Sequence, residues 1–186
     1  MERAVFLDRD GTIIEQVNYL YECSQVKFPP KSGEAIKLLN ENGFKVFVIT
    51  NQPGVARGYF TEEAVKEVNR YIEEYLSKEG ATIDRFYYCP HHPEGTIEEY
   101  TKECDCRKPK PGMIEEAAGE FGIDLRGSFV IGDRLIDVDA GQRAGCRTIL
   151  LGDKGSPGGV EETTLTPDYV AADLYEAVKW LISNAK

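Results

Sequence analysis

AVFLDRDGT, residues 4–12, decides how the rest of the chain is read. Four apolar residues in a row, closed off by charge, are what a short strand buried on both faces of a parallel sheet looks like. The strand ends in Asp8-Arg9-Asp10-Gly11-Thr12. In open parallel sheets ligands bind beyond the carboxyl ends of the strands, so polar residues at that point are candidates for chemistry.

Four more segments repeat the pattern: KVFVIT (45–50), IDRFYY (83–88), SFVIG (128–132) and RTILL (147–151). Helical periodicity lies between them. One run opens at Ser32-Gly33, carries Ala35, Ile36, Leu38 and Leu39 on one face, and stops at Asn42-Gly43. The next is capped by Thr61, with Glu62 and Glu63 at the positive end of its dipole. A third starts around Pro111 and stops at Gly122, a fourth spans 135–144 before Gly145, and a last one is capped by Asp173. Residues 152–166 are rich in Gly, Pro and Thr and read as loop, and residues 89–110 have no period at all.

Strands alternating with helices predict right-handed crossovers. The expected fold is α/β: a Rossmann-like parallel sheet with helices on both faces, forming a single domain over residues 1–186. At 186 residues, folding buries roughly 70% of the chain's surface, enough for a core without disulfides. Five cysteines, an odd number, argue against a disulfide framework. Cys23 and Cys146 stand alone and read as packing residues. The apolar run at the N-terminus is too short for a signal peptide, and no segment approaches the ~20 apolar residues of a membrane span. A cytoplasmic protein without membrane contact is expected. The net charge of −10 opposes nucleic-acid binding, which rewards clustered Lys and Arg. No self-association face is visible, so a monomer is expected.

Three strand ends deliver chemistry to one edge. Strand one gives Asp8 and Asp10, strand two Thr50-Asn51, and strand four Asp133, with Asp137 four residues on. If the first strand stays extended, Asp8 and Asp10 point the same way. Neighbouring carboxylates repel unless a proton or a cation is shared. With Asp133 they form an oxygen-rich site suited to Mg2+, which takes one or two carboxylates, waters and a substrate phosphate. A carboxylate can also be a nucleophile, given a neighbour to protonate the leaving alcohol and positive charge around the phosphoryl group. Lys108, just before the helix at 111, is the best placed lysine.

VFLDRDGT, VITNQ, RKPKPGM and IGDRLIDVDAG, in that order over residues 5–141, resemble the four motifs of the haloacid dehalogenase-superfamily phosphatases. The resemblance implies that Asp8 is the nucleophile and Asp10 the general acid–base. It implies that Thr50 and Lys108 bind phosphate, that Asp8, the Asp10 carbonyl and Asp133 hold Mg2+, and that Asp137 supports Lys108. A phosphoaspartate signalling receiver uses similar groups, but its acceptor follows a middle strand, whereas here the acceptor ends the first.

The segment 89–110 carries a second signal. Cys89-Pro90-His91, twelve residues, then Cys104-Asp105-Cys106 offer three thiols and an imidazole, with His92 as the alternative imidazole. This suits tetrahedral Zn2+ in a closed structural site. YYCPHHPEG, CDCRKPKPGM and TNQPGVARG are together similar to the heptose-1,7-bisphosphate phosphatase family, which has a zinc loop and no large cap domain. That resemblance implies Cys89, His91, Cys104 and Cys106 as zinc ligands. It implies substrate contacts from Asn18, Tyr19, Asn51, Gln52, Arg107 and Arg134. Arg134 stands where that family usually has Lys, and the related histidinol-phosphate phosphatases show Arg there. GVARGYF, following the second motif, is of the heptose type. The implied substrate is a phosphorylated sugar. Lys110 has no assigned role and reads as a solvated charge.

Overall fold

The computed structural model describes residues 1–152 and 165–185. It contains a six-stranded, all-parallel sheet of β1 (Arg3–Leu7), β2 (Phe44–Asn51), β3 (Arg85–Cys89), β4 (Phe129–Gly132), β5 (Arg147–Leu151) and β6 (Tyr169–Ala171), in the order β3-β2-β1-β4-β5-β6. The chain moves outward from β1 in one direction, then restarts at β4 on β1's other side. The carboxyl ends of β1 and β4 therefore flank the crevice where such sheets bind ligands.

The helices are α1 (Ser32–Glu41), α2 (Glu62–Lys78), α3 (Gly112–Phe121), α4 (Leu135–Ala144) and α5 (Leu174–Asn184). Strand alternation sorts them onto two faces. Val5, Leu7, Val46, Val48 and Ile131 pack with α1, α2 and α5, and Ala4, Phe6, Phe47 and Ile49 pack with α3 and α4. Both sides of every inner strand are covered, which is why these strands read as unbroken apolar runs. Thr61 accepts from the Ala64 N–H at 3.3 Å and caps α2, a contact of about 1 kcal/mol. Gly122 and Gly145 close α3 and α4 at φ 65° and 83°, where a side chain would strain the backbone.

The helix over 135–144 is found at those residues. Other expectations are corrected. β3 begins two residues after Ile83, because the Asp84 carboxylate takes the Val46 N–H (2.8 Å) and the Lys45 ammonium (2.8 Å) ahead of the ladder. β6, a three-residue edge strand, was not anticipated. The stretch 89–110, expected without structure, contains a 3-10 turn at Glu98–Tyr100. Of the loop expected at 152–166, residues 153–164 lie outside the described ones. No helix among the described residues is long and apolar enough to cross a membrane.

Candidate active site

β1 ends at Leu7, but the backbone stays held one residue further, where the Asp8 N–H donates to the Ile131 carbonyl of β4 at 3.0 Å. The Asp8 side chain is thereby fixed, almost wholly buried, between the two strand ends. Lys108 arrives from the loop before α3. Its ammonium donates to Asp8 Oδ1 (2.7 Å), Asp137 Oδ1 (2.6 Å) and the Ile49 carbonyl (2.8 Å), so all three donors are used. Burial works against the lysine's charge, yet Asp137 and Asp8 together outweigh it and raise its pKa above the ordinary range. Burial also pushes the Asp8 carboxyl up to about 7, with Lys108 opposing and Asp137 adding.

Asp8, Asp133 and Asp137 bring carboxylate oxygens within 4.8 Å of one another. One lysine cannot balance three acids. Asp137 is committed on both oxygens, to Lys108 and to the Arg134 N–H at 3.1 Å. Asp133 is not: its Oδ1 is buried without a hydrogen-bond partner, and burial followed by the charge of Asp137 raises its carboxyl. A Cβ on Gly11, whose φ is 87°, would stand 2.2 Å from Asp133 Oδ2. Only glycine lets this carboxylate approach the turn after β1. An orphaned buried oxygen in a region of surplus negative charge fits a hard divalent cation.

Asp10 lies outside this trio. With β1 finished at Leu7, the alternation that would align Asp8 and Asp10 no longer operates. The Asp10 carboxylate instead receives Arg9 Nε at 3.1 Å and Nη2 at 3.3 Å, and Gln52 Nε2 at 3.0 Å. Gln52 also donates to Thr50 Oγ1 at 2.9 Å, so acid and hydroxyl are set relative to each other. Both still face one cleft of about 340 Å³, lined by Asp8, Asp10, Asn18, Tyr19, Thr50, Asn51, Gln52, Arg107, Lys108, Arg134 and Asp137. The Asn51 amide is engaged with the protein: it donates to the Lys108 carbonyl and accepts from the Lys108 N–H, each at 3.0 Å.

Arg57 also lines this cleft, and sequence reasoning passed over it inside GVARGYF. Its guanidinium donates to the Tyr19 hydroxyl and lies 3.4 Å from His92 Nε2. A lone arginine in a Gly- and Pro-rich loop after a strand end was the available signal. Among the described residues, none of Arg57, Arg107 and Arg134 forms an ion pair with an acid. Lys110, in contrast, faces Glu103 and Asp105 at 3.6 and 3.7 Å on the surface.

The cysteine segment closes on itself. Cys104 Sγ lies 3.5 Å from Cys89 Sγ and 3.4 Å from Cys106 Sγ, and His91 Nδ1 lies 3.8 Å from Cys89 and 3.4 Å from Cys106. A tetrahedron with Zn–S bonds of ~2.3 Å has S···S edges of about 3.8 Å, so the four donors sit close to the corners of one. None is in a disulfide. The hydrogen bond between Cys89 and Cys106 pulls the Cys106 thiol down to about 5 and pushes Cys89 up. A divalent cation among the four would displace the thiol protons and let all three cysteines act as thiolates. His92 faces elsewhere, its Nδ1 accepting from the Glu94 N–H at 3.0 Å. The loop has other anchors. Glu62 at the start of α2 accepts from the hydroxyls of Tyr88 and Tyr100 at 2.8 Å each. The Ala56 carbonyl accepts from the N–H groups of Thr96 (2.7 Å) and Ile97 (2.9 Å).

Known proteins are similar to this chain in sequence and in fold. Residues 105–177 match the family model described as HAD-hydrolase-like. Over 183 residues the chain is 42% identical to the D-glycero-D-manno-heptose-1,7-bisphosphate 7-phosphatase of Chlorobaculum tepidum, covering 95% of this chain and 92% of that protein. Over 186 residues it is 40% identical to the D-glycero-beta-D-manno-heptose-1,7-bisphosphate 7-phosphatase of Pasteurella multocida, covering 98% and 100%. The D,D-heptose 1,7-bisphosphate phosphatase of B. bronchiseptica, solved with magnesium and phosphate, superposes with a TM-score of 0.85 at 28% identity, covering 97% of this chain and 98% of that one.

Proposed function

The chain belongs to the haloacid dehalogenase-like phosphatases, within the heptose-1,7-bisphosphate 7-phosphatase family, and on that premise we propose that it hydrolyses the 7-phosphate of D-glycero-D-manno-heptose 1,7-bisphosphate using Asp8 as nucleophile. One observation carries this reading. A single cleft has a buried carboxylate–lysine pair at its floor and Arg57, Arg107 and Arg134, unpaired with any described acid, along its walls. A chain of net charge −10 gathers three such guanidiniums there, which suits a substrate with two phosphates.

The chemistry follows from the groups at hand. An oxygen of Asp8 attacks the phosphorus in line, the bond from phosphorus to the sugar oxygen breaks, and Asp10 gives that oxygen its proton. Asp10, now ionised, takes a proton from water as the water attacks the aspartyl-phosphate, releasing phosphate and restoring Asp8. Lys108 and Thr50 donate to the equatorial oxygens, where charge is greatest in the transition state. Bound at Asp8, Asp133 and the Asp10 carbonyl, Mg2+ would neutralise charge on the phosphoryl group and on the crowded acids. Zn2+ held by Cys89, His91, Cys104 and Cys106 would fix the loop from which Arg107 and Lys108 project.

Asn18 and Tyr19 are proposed to contact the sugar, with Arg57 and Arg107 receiving the phosphate that stays. Specificity constants measured on the heptose bisphosphate, a heptose 7-monophosphate and histidinol phosphate test the reading. The bisphosphate is expected to lead the other two by at least about a hundredfold, since two charge-assisted contacts of about 1.5–3 kcal/mol each are at stake. Arg57→Ala and Arg107→Ala should each lower kcat/KM for the bisphosphate about ten- to a hundredfold and leave the monophosphate nearly unchanged. Equal rates on all three substrates in the parent enzyme would remove the assignment.

A further inference from the structure

Arg9 is fully buried, and it is among the largest side chains in the protein with no exposed surface. A buried guanidinium carries a heavy desolvation cost and persists where its charge and its nitrogens find partners. Here the uses are specific. Nε and Nη2 grip the two oxygens of Asp10 side by side, and Nη1 donates to Asn69 Oδ1 at 2.8 Å. Asn69 is itself buried on the inner face of α2. The Arg9 backbone carbonyl accepts from the N–H groups of Ile13 and Ile14 at 3.1 and 3.2 Å, so the main chain here is as fixed as the side chain.

We propose that Arg9 is a positioning residue for Asp10: anchored to α2 through Asn69, its fork sets the rotation of the carboxyl that protonates the leaving oxygen. This rests on Asp10 being the general acid–base. A bidentate grip fixes both carboxyl oxygens in one plane, which a single hydrogen bond does not. Gln52 alone would leave Asp10 one contact and a free torsion. The same network reaches Thr50, so α2, the acid and a phosphate-binding hydroxyl form one hydrogen-bonded chain: Asn69, Arg9, Asp10, Gln52, Thr50.

A purely structural Arg9 would affect every substrate alike. A positioning Arg9 matters only when a proton must reach the leaving group. The test therefore compares kcat/KM, which ends at phosphoenzyme formation, on the heptose bisphosphate and on p-nitrophenyl phosphate, whose phenolate leaves without a proton. Arg9→Met is expected to cost about a hundredfold on the sugar ester and no more than about threefold on the aryl ester, within the range general acids contribute. Placed in an Asp10→Asn background, it should cost no more than about threefold on either, because its route of action is already gone. Asn69→Leu removes one anchor and should show the same selectivity at about tenfold, and it serves where Arg9→Met unfolds, as thermal melting would reveal. Equal losses on both esters, or losses that multiply with Asp10→Asn, overturn the proposal. Undiminished turnover of the sugar ester by Asp10→Asn would instead remove the acid–base reading beneath it.

Discussion

Asp8→Asn is expected to end turnover, lowering kcat by about four orders of magnitude or more, and to leave no acid-stable, hydroxylamine-sensitive phosphoprotein on mixing with substrate. An amide has no charged oxygen to offer phosphorus, and the neighbouring Asp137 is committed on both oxygens. The fold should survive. Asparagine matches aspartate in shape, and Lys108 keeps the Asp137 carboxylate and the Ile49 carbonyl. The change also removes one of three crowded carboxylates, of which a single lysine pairs with two. The melting temperature should therefore hold or rise, as happens where a site's charges are kept for chemistry rather than stability. Rapid-quench trapping of the phosphoenzyme, alongside a melting curve, separates lost chemistry from lost structure. Near-parent hydrolysis by a folded Asp8→Asn protein would overturn the mechanism.

The second large effect is expected from the thiol cluster. Freshly purified protein should hold about one zinc per chain, retained through a mild chelation that strips magnesium, as closed four-ligand sites bind far more tightly than carboxylate sites. Cys106→Ser should lose that zinc and about a hundredfold in kcat/KM, because displacing a catalytic group by an ångström costs that much. Added magnesium should restore activity after mild chelation and fail to restore it in the variant. Arg107 and Lys108 directly follow the last ligand, and the Arg107 guanidinium reaches back to the His91 carbonyl at 3.4 Å, so the damage travels two residues. Metal analysis finding no zinc, or full activity in Cys106→Ser, contradicts the assignment.

Much of this was legible from residues alone, for a definite reason. Strands buried on both faces write themselves as apolar runs, and the polar residues that end them fall at one edge by topology. Asp8, Thr50 and Asp133 were found that way. Lys108 was found because basic residues gathered just before a helix start, in an otherwise acidic chain, put positive charge where a phosphate can meet it. What was missed lay where local sequence carries no period. Three residues of β6 are too few to show alternation. Arg9 sits inside a motif read for its aspartates, and a charged side chain gives no sign that it points inward. Asn69 looks like any polar residue on an amphipathic helix until the helix is docked. The family resemblance implies Asn51 as a substrate contact, but no local pattern announces that its amide grips the backbone of Lys108, a partner 57 residues away. That pairing exists only in three dimensions.

That grip has a bearing on how the molecule opens. Asn51 is the last rung between β2 and β3, opposite Cys89, and its side chain offers Lys108 the donor and acceptor that a further strand would offer. The hydrogen-bond ladder of the sheet thus runs on, in side-chain form, into a stretch classed as coil. A loop joined in this manner is expected not to fray as an independent unit: its amide should open with the sheet's cooperative unit, at the sheet's free energy rather than a surface segment's. Hydrogen exchange at the Lys108 amide should therefore be as slow as in the core strands, which would make the lysine proposed to meet the phosphoryl group part of the core thermodynamically.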